Sequence, residues 1–161
     1  MTAPGGADPR RVAVERTANR TGRALGVDLG GRRIGLALSD PMRTIASPLT
    51  VLVRGNDAVA DRAAILAVAR EESATVVVVG LPRSLSGRDG PAARAARVEA
   101  DALAASAPEG VEVVLHDERF TTVEAERSLN AAGMRRERQR EVVDKVAAAV
   151  MLQSFLDSSS R

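Results

Sequence analysis

Three features of this chain predict an α/β fold in which a mixed five-stranded sheet carries helices on both faces. Near the start of the regular sequence, two short apolar runs flank the turn Gly30-Gly31-Arg32, the pattern of a β-hairpin. Two later apolar runs, 75–79 and 111–115, alternate with stretches of helical period, as in the βαβ crossovers that build parallel sheet. The element order reads βββαβαβαα. At 161 residues, 45% of them apolar and 27% charged, the chain suits one compact domain rather than two.

Residues 1–22 hold Pro4, Gly5, Gly6, Pro9 and scattered arginines without an apolar period, so they are expected to form a flexible basic arm. The folded domain is expected over 23–157, with 158–161 a disordered tail. Runs 24–29 and 34–38 are the two hairpin strands, and 49–53 is a third strand, antiparallel to the second. Asp57 is placed to cap a helix in which Ile65, Leu66 and Ala69 recur at helical spacing. Run 75–79 is apolar throughout and reads as a buried parallel strand. The Gly/Pro/Ser stretch 80–90 is a loop, 91–105 a second helix, and 111–115 the last strand. Thr121-Thr122-Val123-Glu124 has capping-box spacing and opens a third helix that Gly133 ends. An arginine-rich segment then leads into a final helix over 138–157.

Composition removes several function classes. There is no cysteine and only one histidine, His116, so thiolate nucleophiles, disulfides and cysteine or paired-histidine metal sites are excluded. Any metal must be held by oxygen ligands, which suit magnesium, manganese or calcium. No apolar stretch is long enough to cross a membrane, and with no secretory leader in the sequence a cytoplasmic location is expected. The sequence pI is about 10.2, yet 23 basic residues face 21 acidic ones for a net charge of +2. The high pI reflects the near absence of groups titrating between neutrality and arginine. Aromatic residues amount to 1%, so base-stacking platforms are not expected, and nucleic acid would be gripped through its phosphates by arginine.

Three carboxylates stand where propensity disfavours them. Asp28 interrupts an apolar strand just before the glycine turn; it either helps to set that turn or lies at a strand end as a metal or phosphate-facing group. Asp117 and Glu118 follow the last strand, either as solvated loop carboxylates or as site residues. His116 beside them is a proton shuttle or a hydrogen-bonded surface group. Asp144 shares a helical face with Ala147, Ala148, Met151 and Phe155, where a carboxylate is costly unless compensated. The compensation is either a helix N-terminus or a divalent cation shared with Asp28 and Glu118. Arg135, Arg136, Arg138, Arg140 and Lys145 cluster nearby, as a solvated face or a phosphate track. Arg32, Arg33 and Arg83 sit in loops expected to flank the same end of the sheet.

The words GVDLGGRRIGLALSD, VVVVGLPRSLSGRDG, LHDERFTTVEAE and VDKVAAAVMLQSFL, in this order and spacing, resemble the YqgF family, also called RuvX, from about residue 23 to residue 157. The first word alone is weak, since sugar kinases and actin-like ATPases carry similar ones; the four together are specific. The resemblance implies an RNase H-like fold, in agreement with the element order. It places an acidic triad on Asp28, Glu118 and Asp144, as catalytic residues and metal ligands. It implies a nuclease using Mg2+ or Mn2+, two ions in the substrate complex, that acts in 5′-end processing of pre-16S rRNA. The alternative is Holliday junction resolution, with branched DNA as partner. Arg32, Arg33, Arg83, Arg119, Arg138 and Lys145 are then candidate phosphate contacts.

The expected partners are pre-rRNA or branched DNA, with the ribosomal small subunit a further candidate, and the chain is expected to act as a monomer or homodimer. Two rivals stand beside this reading. An actin-like kinase needs about twice this length for its two lobes, and a non-catalytic RNA-binding ribosome-assembly factor predicts binding without metal-dependent turnover.

Overall fold

The computed structural model describes residues 13–14, 21–82, 88–117 and 136–160, the side chains of 13–14 and 136–139 excepted. Its elements in chain order are β1 (Ala13–Val14), β2 (Arg23–Leu29), β3 (Arg33–Ser39), β4 (Ala46–Val53), α1 (Ala58–Glu71), β5 (Ala74–Leu81), α2 (Pro91–Ser106), β6 (Glu112–Asp117) and α3 (Arg136–Ser159). The sheet order is β1-β6-β5-β2-β3-β4. β2, β3 and β4 form an antiparallel meander, while β5 and β6 add in parallel to β2.

The five expected strands are β2 to β6. The sheet departs from expectation at its far edge, where β1 pairs in parallel with β6 through Ala13↔Val114 and Val14↔Leu115. The arm expected over 1–22 therefore contributes two residues to the sheet, making six strands. So short a strand carries no readable period among prolines, glycines and arginines, and only an open edge on β6 reveals it. β4 begins three residues earlier than expected and α3 two residues earlier, ordinary shifts at element ends. The expected helix beginning at Thr121 lies outside the described residues.

Local chemistry explains the boundaries. Asp57 accepts a hydrogen bond from the Val59 backbone N at 2.9 Å and opens α1. Pro91 opens α2 from Gly90, a position where its missing N–H costs nothing. β5 is buried on both faces, with Val76, Val77, Val78 and Val79 all at 0% exposure, which is why its sequence shows no alternation.

Each face of the sheet has its own core. Leu25, Val27, Ile34, Leu36, Val77 and Val79 meet Ile65 of α1 and Ala96, Ala100 and Leu103 of α2. On the opposite face Ala24, Ala37, Val76, Val78 and Val114 meet Ala148, Met151, Leu152 and Phe155 of α3. The stripe expected on the last helix is thus the one that packs. The residues on the sheet beneath α3 are small, and at Gly26 and Gly35 a Cβ atom would stand 2.9 Å from the Leu152 Cβ and 2.1 Å from the Asp144 carbonyl oxygen. Glycine inside these strands lets a helix backbone lie directly on the sheet.

A buried serine stitches the start of the meander. The Ser39 hydroxyl, 2% exposed, accepts from the Ala24 backbone N at 2.8 Å and donates to the Asp40 carbonyl at 2.9 Å. Ser39→Ala leaves the Ala24 N–H buried without a partner, and a loss of about 2 kcal/mol is expected in urea unfolding. A change below about 0.5 kcal/mol would show that this amide finds water instead.

Candidate active site

β2, β5 and β6 run parallel and end together, the edge at which α/β sheets form sites. Asp28 is the next-to-last residue of β2. Side chains alternate along a strand, and since Val27 belongs to the core beneath α1 and α2, Asp28 faces α3. Its register partner across the hairpin is Gly35, the glycine against which the Asp144 main chain rests. The two aspartates, 116 positions apart in the sequence, therefore converge on one spot. Asp144 occupies the third turn of α3, which starts at Arg136. That is beyond the first turn where the helix dipole favours an anion, so the helix N-terminus does not compensate it.

Arg33 does so in part. Its Nε donates to Asp144 Oδ2 at 2.8 Å, with the two side chains 31% and 26% exposed. Among the described residues no cation pairs with Asp28: burial first, and the nearby charge of Asp144 second, push its carboxyl up to about 6 from the ordinary 3.8. One guanidinium, paired with Asp144 alone, leaves the two carboxylates short of counter-charge among the described residues of a partly desolvated corner. That deficit and the all-oxygen donor set fit a hard divalent cation. Among the described residues no group of three acidic, histidine or cysteine side chains is close enough to hold a metal. The expected third ligand, Glu118, is one residue past the end of β6 and lies outside the described residues.

The remaining candidates divide. Arg32 is exposed at the hairpin turn, its carbonyl accepting from the Arg54 backbone N at 2.9 Å. Lys145 follows Asp144 on α3 and is half-buried. Arg83 and Arg119 lie outside the described residues; Arg138 is in the first turn of α3 with its side chain outside them. Asp117 closes β6 opposite Leu81 of β5. His116 is not at the surface: it is 5% exposed, its Nε2 is 3.0 Å from the Ser154 hydroxyl, and its ring meets Phe155 edge-on at 5.7 Å. It serves the seat of α3.

Sequence reasoning missed Gly35 and Gly26, which let α3 approach closely enough to deliver Asp144. The available signal was glycine inside a strand pattern, a mark of close backbone approach. It also missed Arg54, whose Nη1 donates to the Gly30 carbonyl at 2.8 Å and braces the hairpin that carries Asp28 and Arg33.

Comparison with known proteins bears on the family and the fold. A family profile described as "RuvX: Holliday junction resolvase" matches residues 22–158. A protein of Kineococcus radiotolerans named "Putative pre-16S rRNA nuclease" is 50% identical over 139 residues, which span 86% of this chain and 73% of that one. Among solved structures, the RuvC of T. thermophilus in complex with a Holliday junction substrate is similar with a TM-score of 0.50 at 16% identity, covering 85% of this chain and 95% of that one. A fowlpox virus resolvase with Holliday junction DNA gives 0.52 at 9% identity, covering 84% and 97%. The two structures share the RNase H-like sheet and helices described above.

Proposed function

The chain belongs to the RuvX family, and from that premise we propose that it is a metal-dependent nuclease hydrolysing phosphodiester bonds in 5′-end processing of pre-16S rRNA. The observation that carries the reading is the convergence of Asp28 and Asp144 across Gly35, with the Asp28 carboxyl pushed up by burial and by the charge of Asp144. Asp28, Asp144 and Glu118 would hold magnesium or manganese, and because a triad supplies few ligands a second ion would bind with the substrate phosphate present. Bound there, the metal supplies an activated water and stabilises the leaving oxygen.

The protein's own groups do the remaining work. Asp28 must be ionised to act as a ligand, so activity is expected to rise through pH 6, and Asp144 is held in place by its backbone seat on Gly35. Arg32, Arg33, Arg83, Arg119, Arg138 and Lys145 are the candidate donors for phosphate in this reading. No described helix is long and apolar enough to cross a membrane, and we place the protein in the cytoplasm, acting on the precursor of the ribosomal small subunit.

The test is cleavage of labelled pre-16S leader RNA and of a four-way DNA junction, side by side, with Mg2+, with Mn2+ and with chelator, for wild type and Asp144→Asn. Metal-dependent cutting of the RNA, lost in the variant, is expected. The family description favours one second reading, junction resolution, which predicts paired cuts in the DNA and hence a dimer with two sites. Good binding without cutting of either substrate would replace both with a ribosome-assembly factor.

A further inference from the structure

We propose that Arg33 is the resident counter-ion of Asp144, displaced when a divalent cation arrives and then free to grip a substrate phosphate. The inference rests on the metal-site reading above and extends it to a residue that would couple metal binding to substrate capture. Arg33 opens β3 directly after the turn, and its carbonyl is held by the Gly30 backbone N at 2.9 Å. Its main chain is therefore fixed while its long side chain is half-exposed.

Of the guanidinium donors only Nε is engaged, on Asp144 Oδ2; among the described residues both Nη atoms have no hydrogen-bond partner. A guanidinium keeps its proton in proteins, so it cannot share a carboxylate with a metal by becoming neutral. The two cations compete for Asp144. The pair is open enough to solvent, with side chains 31% and 26% exposed, that its rupture is inexpensive. Once released, the planar fork suits a phosphate, which accepts two parallel N–H bonds from it.

The first measurement is calorimetric titration of Mn2+ into the full chain without nucleic acid, comparing wild type, Arg33→Gln and Arg33→Lys, with circular dichroism to verify folding. Removing the competing charge should tighten manganese binding about fivefold in Arg33→Gln, as for a half-exposed ion pair, whereas Arg33→Lys should stay near wild type because it keeps the charge. Equal or weaker binding in Arg33→Gln would overturn the counter-ion role while leaving the metal site intact. Absence of manganese binding in wild type and Arg33→Gln alike would overturn the metal-site reading itself.

The second measurement is fluorescence anisotropy of a labelled pre-16S leader oligonucleotide, in Ca2+ and in chelator. Arg33→Gln should weaken binding several-fold more in Ca2+ than in chelator, since the loss of one positive charge is common to both media and only the displaced guanidinium meets phosphate. Equal losses in both media would overturn the exchange.

Discussion

Asp28→Asn is expected to lower cleavage by at least about 10²–10³-fold, because the amide keeps the shape of the carboxylate but not the charge that holds a metal and its activated water. Nucleic-acid binding should be unchanged or tighter, since a negative charge has been removed near phosphate. The same substitution should stabilise the metal-free protein, and the sign follows from linkage. The folded-state value of about 6 lies above the ordinary 3.8, so the native state binds the proton more tightly than the unfolded chain does. Wild-type stability therefore falls as pH rises from about 4 to 6 and stays lower above that window.

Asparagine escapes this loss. At pH 7.5 in chelator it should gain about 1–3 kcal/mol, the upper end being the full shift and the lower end allowing for the half-buried position. Near pH 4 the two proteins should melt alike. Mn2+ at a hundredfold excess over Kd should close or reverse the gap at pH 7.5, adding about 2.7 kcal/mol to wild type and little to the variant. Retained turnover in Asp28→Asn, or wild type and variant melting together at every pH, would remove Asp28 from the site.

Gly35→Ala should strongly damage the protein. The added Cβ would stand 2.1 Å from the Asp144 carbonyl oxygen and 2.6 Å from its carbonyl carbon. These are backbone atoms that no rotamer change can move aside, so α3 must lift from the sheet. Overpacking of this kind costs about 3 kcal/mol or more, roughly 10 °C in melting temperature for a chain of this size. Cleavage should fall further than stability alone explains, because a displacement of about 1 Å at a catalytic group costs on the order of 10²-fold. Gly31→Ala, in the same hairpin but with nothing within 4 Å of the added atom, should leave melting and cleavage unchanged. An unaltered melting temperature in Gly35→Ala would mean that the helix does not seat on this glycine.

Much of the architecture was legible in the chain because its signals are local. The all-valine run of β5 and the periodic stripe Ala148, Met151 and Phe155 report burial residue by residue. The turn Gly30-Gly31-Arg32 and the cap Asp57 report where elements end. Asp28 and Asp144 were visible as misplaced charges for the same reason, each being a carboxylate in an apolar pattern. β1 was not legible, because two residues carry no period and their partner among the described residues is an edge on β6, 101 positions away. His116 read more readily as a hydrogen-bonded surface group than as a shuttle; the hydrogen bond is there, to Ser154, but packing against Phe155 buries the ring.

By itself, then, the sequence determined the order of β2 to β6 with α1, α2 and α3, the absence of thiol and histidine-pair chemistry, and which carboxylates lacked a local reason to exist. Only the tertiary structure decided that Asp28 and Asp144 meet, that Arg33 is drawn to the second of them, and that two glycines hold the helix close enough for this to happen. The difference is physical: periodicity and capping act between neighbours along the chain. Electrostatic strain on a carboxylate, and the distance at which a helix rests on a sheet, arise only from groups that folding brings together.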